Sequence, residues 1–96
     1  MYAITFDLDT KALEQHYPAP NWRNASSDIA TTLGSYGFER QQGSVYFGNS
    51  AVTAVTCFTA INALTSTYAW FRLCVRDIRM LRIEEINDLM PVVQEI

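Results

Sequence analysis

The sequence predicts an α+β domain whose elements run β-α-β-β-α-β. Three observations carry this. Residues 2–8 alternate strictly, with Tyr2, Ile4, Phe6 and Leu8 on one side and Ala3, Thr5 and Asp7 on the other. Two later stretches, Trp22–Tyr36 and Ala51 to about Thr67, repeat apolar residues at helical spacing. Between and after them lie two strand-rich runs, Phe38–Gly48 and Phe71–Glu84.

In the first strand the larger side-chain set is the buried one, and Asp7 stands at the C-terminal end with Asp9 on the same parity. Thr10 to Tyr17 has material for one or two helical turns, which Pro18 and Pro20 end. Trp22, Ala25, Ile29, Leu33 and Tyr36 then form one apolar stripe; Asn24 or Ser26 supplies a cap, and Gly37 suits the position just past the end. The central run Gln41-Gln42-Gly43-Ser44-Val45-Tyr46-Phe47-Gly48 is polar on its left and alternates on its right. Gly43 allows a bend or bulge there, with Ser44 at a strand start. In the second long helix Ala54, Cys57, Phe58, Ile61, Leu64 and Tyr68 hold one face. Its threonines and Asn62 are weak helix formers, so packing has to supply its stability.

Phe71–Glu84 lacks clean alternation, since Ile78 and Met80 point one way and Leu81 and Ile83 the other. A sheet covered on both faces accounts for that, by helices on one side and a second subunit on the other. The tail from Asn87 to Ile96 is open to a short edge strand or a helix. The element order is that of the split βαβ, ferredoxin-like arrangement: an antiparallel sheet with two helices on one face. The other face is expected to close a homodimer, sheet on sheet.

The 96 residues, 49% of them hydrophobic, make one ordered domain, residues 1–96, of a size for which oligomerisation is a useful extra source of burial. The net charge of −3 excludes bulk electrostatic attraction to nucleic acid. Locally the charge is segregated. Arg72, Arg76, Arg79 and Arg82 fall within one short span, and Glu84, Glu85, Asp88 and Glu95 follow. Cys57 and Cys74 sit in apolar surroundings without metal-ligand spacing, which predicts two buried free thiols and no zinc site. No basic segment followed by an apolar run opens the chain, and no run has the length to cross a bilayer; the expected location is the cytoplasm, with no membrane partner.

Asp7 is the first candidate for chemistry. A strand-end carboxylate can ligate Mg2+ or act as a general base, the competing role being a cap for the following turn. Asp77 is the second; among arginines it is either one half of an ion pair with Arg76 or Arg79 or a carboxylate held ionised beside phosphate-binding guanidinium groups. Spacing alone does not decide whether Asp7 and Asp77 converge within one chain or across a dimer. Ser44 lacks the neighbours of a hydrolase nucleophile but can donate a hydrogen bond to phosphate. His16 and Tyr17 offer an acid and a base, against the simpler reading of a surface histidine near prolines.

Three motifs at fixed separation go further: Met1-Tyr2-Ala3 to Phe6-Asp7-Leu8-Asp9, Gln42-Gly43-Ser44-Val45-Tyr46, and Trp70-Phe71 with Val75-Arg76-Asp77-Ile78-Arg79. Together they resemble the virulence-associated protein D (VapD) family nearly end to end. The resemblance implies a small bacterial endoribonuclease with a modified ferredoxin-like fold, acting as a homodimer. It also implies a similarity to the small CRISPR-associated nucleases of the adaptation complex and, for some members, a toxin-like role beside an antitoxin protein. The family's site positions fall on Asp7, Ser44 and Asp77, with Leu13 shaping the site. RNA would meet Arg72, Arg76, Arg79 and Arg82, and Tyr46 or Trp70 would stack a base of a single strand. Asp7 would hold Mg2+ if the reaction needs it. The alternative is a non-catalytic dimeric module binding protein or nucleic acid, with Asp7 a structural cap. A third reading has the arginines pairing with Glu84 and Glu85 at a subunit interface.

Overall fold

A computed structural model describes residues 1–95 and contains, among them, four strands and five α-helices. Strand β1 covers Tyr2–Leu8, β2 Phe38–Gln42, β3 Val45–Gly48 and β4 Val75–Arg82. The helices are α1 Thr10–His16, α2 Ala25–Ser35, α3 Ala54–Thr67, α4 Phe71–Cys74 and α5 Met90–Gln94. The sheet runs β2-β3-β1-β4 with every pair antiparallel, as the split βαβ arrangement requires. No helix of the described residues is long and apolar enough to cross a membrane.

Local signals explain most boundaries. The Asp9 carboxylate accepts hydrogen bonds from the backbone N–H groups of Lys11 and Ala12, at 3.0 and 3.2 Å, and so starts α1. Trp22–Asn24 is a 3-10 turn, capped by Asn21 on the Arg23 N–H, and the α-helix proper begins at Ala25. The cap expected at Asn24 or Ser26 therefore sits upstream, because Asn21 meets the first free amide of the segment. Gly37, at φ +92°, turns the chain out of α2 into β2. Gly43, at φ +51°, turns the hairpin between β2 and β3, and the accompanying register shift falls in β2 between Arg40 and Gln42. Helix α3 begins later than Ala51, where Thr53 and Thr56 cap each other's backbone amides.

Two elements differ from expectation. Phe71–Cys74 is a helical turn, not strand. Phe71 and Cys74 lie three apart and are both buried, a helical spacing that destroys alternation in the run. Phe58 is 67% exposed although it was placed on the buried stripe of α3. That helix packs against α2, α4 and β1, and this covers only the line of Cys57, Ala60 and Leu64. The tail forms the helix α5.

Ile4, Phe38 and Tyr46 of the sheet meet Ile29 and Leu33 of α2, Leu64 of α3, and Trp70 and Phe71 in one core. Each large aliphatic side chain buried there contributes about 1.5–3 kcal/mol. Cys57 and Cys74 are buried and free, as expected, and burial pushes both thiols up from their ordinary pKa. The opposite face carries Ala3, Thr5 and Asp7 with their cross-strand partners Phe47, Val45, Leu81, Arg79 and Asp77.

Tyr17 fastens the segment after α1. Its hydroxyl donates to Asp28 of α2 at 2.6 Å, and its ring meets Trp70 edge-on at 5.3 Å. The Asp28 hydrogen bond, with burial and the carboxylate's charge, pushes the phenol up to about 12 from its ordinary 10. A raised pKa means that the contribution is complete below pH 10 and disappears as pH climbs from 10 through 12. Urea unfolding should show Tyr17→Phe about 1 kcal/mol less stable at pH 7, with the gap to wild type closing above pH 10.

Candidate active site

The end of β1 decides the site. Because β1 and β4 are neighbours, Asp7 pairs directly with Asp77 in one chain, immediately before a register shift between Asp7 and Leu8. The two carboxylates therefore converge without help from a second subunit. Side chains of directly opposite residues share a face, with Cβ atoms about 4.5–5.5 Å apart, and like charges so placed repel.

Two arginines offset that repulsion. Arg76 approaches the Asp7 carboxylate at 3.2 Å, and Arg79 Nε reaches both Asp77 oxygens at 3.1 and 3.2 Å. Asp7 is 60% and Asp77 51% exposed at the side chain, so both ion pairs are open to solvent and to substrate. Within the chain Arg76 is engaged by Asp7 and Arg79 by Asp77.

The cap and the candidate acid are separate residues. Asp9 closes α1 and Asp7 does not, so Asp7 is left free of a structural backbone role. Ser44 flanks β1 on the side away from β4: the Phe6 N–H donates to its carbonyl at 3.2 Å. Asp7 thus ends a strand bordered by Ser44 on one side and Asp77 on the other. Thr5, which the alternation already placed on the Asp7 face, lies opposite Arg79 and Val45 and adds a hydroxyl that sequence reasoning passed over. Leu13 is the buried residue of α1 and belongs to the core. His16 is exposed in the last turn of α1, a surface position.

Other expected RNA contacts are redistributed. Tyr46 is 2% exposed, lies on the helix-covered face and stacks on Phe6 at 5.8 Å, so it cannot stack a base; Trp70 is likewise buried. Arg79 lies opposite Thr5 and Arg82 opposite Tyr2, and the two-residue period sends them to different faces of the sheet. Arg82 is also five residues, roughly 16 Å, along β4 from Asp77. Arg72 is exposed on α4, the helical turn that precedes β4 in the sequence. The arginines are not one strip.

No group of three or more His, Cys, Asp or Glu side chains gathers among the described residues. The Asp7–Asp77 pair does match the one or two carboxylates by which Mg2+ is usually held together with substrate phosphate.

No protein-family model matches the chain. Individual proteins do. A Helicobacter pylori protein named "Endoribonuclease VapD homolog" is 48% identical over 94 residues, covering 98% of this chain and 97% of its own. "Endoribonuclease VapD 2" of Riemerella anatipestifer is 45% identical over 93 residues, covering 97% and 99%. "Endoribonuclease VapD" of Dichelobacter nodosus is 42% identical over 94 residues, covering 98% of each. The chain belongs to the VapD family. Its VapD motifs are the segments that build this end of the sheet: the first strand carries Asp7 one residue before its end, the Gln-Gly-Ser motif leads through the hairpin turn, and the Val-Arg-Asp motif opens β4.

Exposed ion pairs contribute about 0–1 kcal/mol, and removing either carboxylate also relieves repulsion. Asp7→Asn and Asp77→Asn should therefore unfold in urea within about 1 kcal/mol of wild type. Asp9→Ala, which removes the α1 cap, should cost about 1 kcal/mol. A loss above about 2 kcal/mol in Asp7→Asn would instead mark Asp7 as structural.

Proposed function

We propose that this VapD-family protein cleaves single-stranded RNA at the Asp7–Asp77 pair, working in the cytoplasm as a homodimer joined through the helix-free sheet face. The relatives' names support its class: an endoribonuclease, a hydrolase of RNA phosphodiester bonds. The observation that carries the site is the direct cross-strand pairing of two exposed carboxylates, each with its own guanidinium partner. Carboxylates alone would repel an incoming phosphate. Arg76 and Arg79 neutralise them, and their remaining N–H groups can take phosphate oxygens bidentately.

In this reading Asp7 draws the proton from a ribose 2′-OH. The 2′-oxygen attacks the adjacent phosphorus to give a 2′,3′-cyclic phosphate, and the bond to the 5′-oxygen breaks. That oxygen leaves as a hydroxyl on a proton from water, and the arginines stabilise the charge that builds on the phosphorane. Ser44 donates a hydrogen bond to the phosphate from the neighbouring hairpin turn. Arg72 extends the cationic surface beyond the site. Asp7, with Asp77, would hold Mg2+ where the reaction uses it, and the ion would supply neutralisation of phosphate charge and Lewis-acid activation. The face expected at the dimer contact carries Val45, Phe47 and Leu81, with Ala3 buried between the last two, toward the end of β1 away from the acid pair. The resemblance extends the proposal to a toxin-like activity restrained by an antitoxin protein.

The test is cleavage of a labelled single-stranded RNA by wild type, Asp7→Asn and Asp77→Asn, with Mg2+ or EDTA. Each variant should lose at least 100-fold in rate, the scale of a general acid or base. Persistence in EDTA assigns the 2′-OH route, and loss assigns the ion-assisted one. Equal cutting by all three proteins would sink the site assignment, and no cutting under any condition would favour a binding module.

A further inference from the structure

Ser44 sits in a turn beside an interrupted ladder. Strand β2 pairs with β3 through Arg40 opposite Tyr46 and Gln42 opposite Val45, which leaves Gln41 as the extra residue of a bulge. Gly43 and Ser44 alone then join the two strands. A bulge breaks the pairing beside it and re-aims the side chains around it. The Ser44 hydroxyl keeps one direction only if the turn is tied down from elsewhere.

Two hydrogen bonds tie it. Arg40 Nε donates to the Gly43 carbonyl at 2.7 Å, across the bulge, a length in the range of charge-assisted bonds. From β1 the Phe6 N–H donates to the Ser44 carbonyl at 3.2 Å. A peptide unit is rigid and planar. The Gly43 carbonyl belongs to the unit that enters Ser44, and the Ser44 carbonyl to the unit that leaves it. With both units held, both soft dihedrals of Ser44 are set, and with them the direction of its Cα–Cβ bond. Arg40 is exposed, and no carboxylate pairs with it among the described residues, so its guanidinium is committed to the turn and not to an ion pair.

We propose that Arg40 is a positioning residue for RNA cleavage, holding the Gly43–Ser44 peptide so that the Ser44 hydroxyl meets the phosphate. The proposal rests on the hydrogen bond from Ser44 to phosphate that the cleavage reading assigns. Arg40 acts through its Nε–H and not through its charge. A misplacement of about 1 Å in a reacting constellation costs on the order of 100-fold in rate, so a loosened turn is felt in the chemical step before it is felt in binding.

Donor and charge are separable at this position. In glutamine the amide nitrogen follows the third side-chain carbon, as Nε does in arginine, so Arg40→Gln keeps the donor and removes the charge. Arg40→Met keeps the length and removes both. On labelled single-stranded RNA, Arg40→Met should lose about tenfold or more in kcat with KM little changed, and Arg40→Gln should cut at about the wild-type rate. Added to Ser44→Ala, Arg40→Met should cost nothing further, as for residues that act as one unit. A loss shared equally by Arg40→Gln, one that adds in full to that of Ser44→Ala, or one matched by loss of fold in circular dichroism would overturn the proposal. So would wild-type cutting by Arg40→Met where Ser44→Ala is impaired. Wild-type cutting by Ser44→Ala, or no cutting by the wild type, would overturn the role of Ser44 itself and this one with it.

Discussion

Two negative charges face each other across neighbouring strands, and the protein holds them there. The Asp7–Asp77 pairing follows from β1 lying next to β4, and its repulsion is met by guanidinium groups supplied from β4 itself, one from each side of Asp77 in sequence. The surrounding residues fit that constraint. Asp9 takes the capping duty, which frees Asp7 from it. The register shift just past Asp7 lets Arg76 swing to the Asp7 carboxylate, although strand parity alone would send it to the other face.

The arrangement separates stability from chemistry. The helix side of the sheet holds the core, where Tyr46, Ile4 and Phe38 are buried against α2, α3 and the Trp70–Phe71 corner. The ionised groups stand on the far face at one end, half exposed, where they add little to folding and remain open to a flexible polyanion. The net charge of −3 is a bulk quantity, and on this face two carboxylates are each met by a guanidinium group, Arg76 at Asp7 and Arg79 at Asp77.

Much of this was legible in the sequence, for reasons tied to period. Strand β1 follows its alternation from Tyr2 to Leu8, and the antiparallel ferredoxin-like arrangement read from the element order is the one observed, while the sequence left open that β1 and β4 are neighbours. Alternation assigns residues to two faces but does not say which face is covered, and so Tyr46 looked available to RNA when it is a core residue. Strand periodicity also hid α4, a single helical turn run directly into a strand. Asp7 and Asp9 share parity, and only the start of α1 tells the cap from the candidate acid. The arginines looked like one strip because they are close in sequence, yet odd spacing on a strand divides them.

The pairing of β1 with β4 joins segments far apart in the sequence, from Tyr2 opposite Arg82 to Leu8 opposite Val75. Asp7 is synthesised well before Asp77. A chain still growing on the ribosome, or one cut short before β4, has Asp7 without its partner and without either guanidinium. The order of synthesis therefore acts as a timer: the two carboxylates and their guanidinium partners come together only once β4 has left the ribosome.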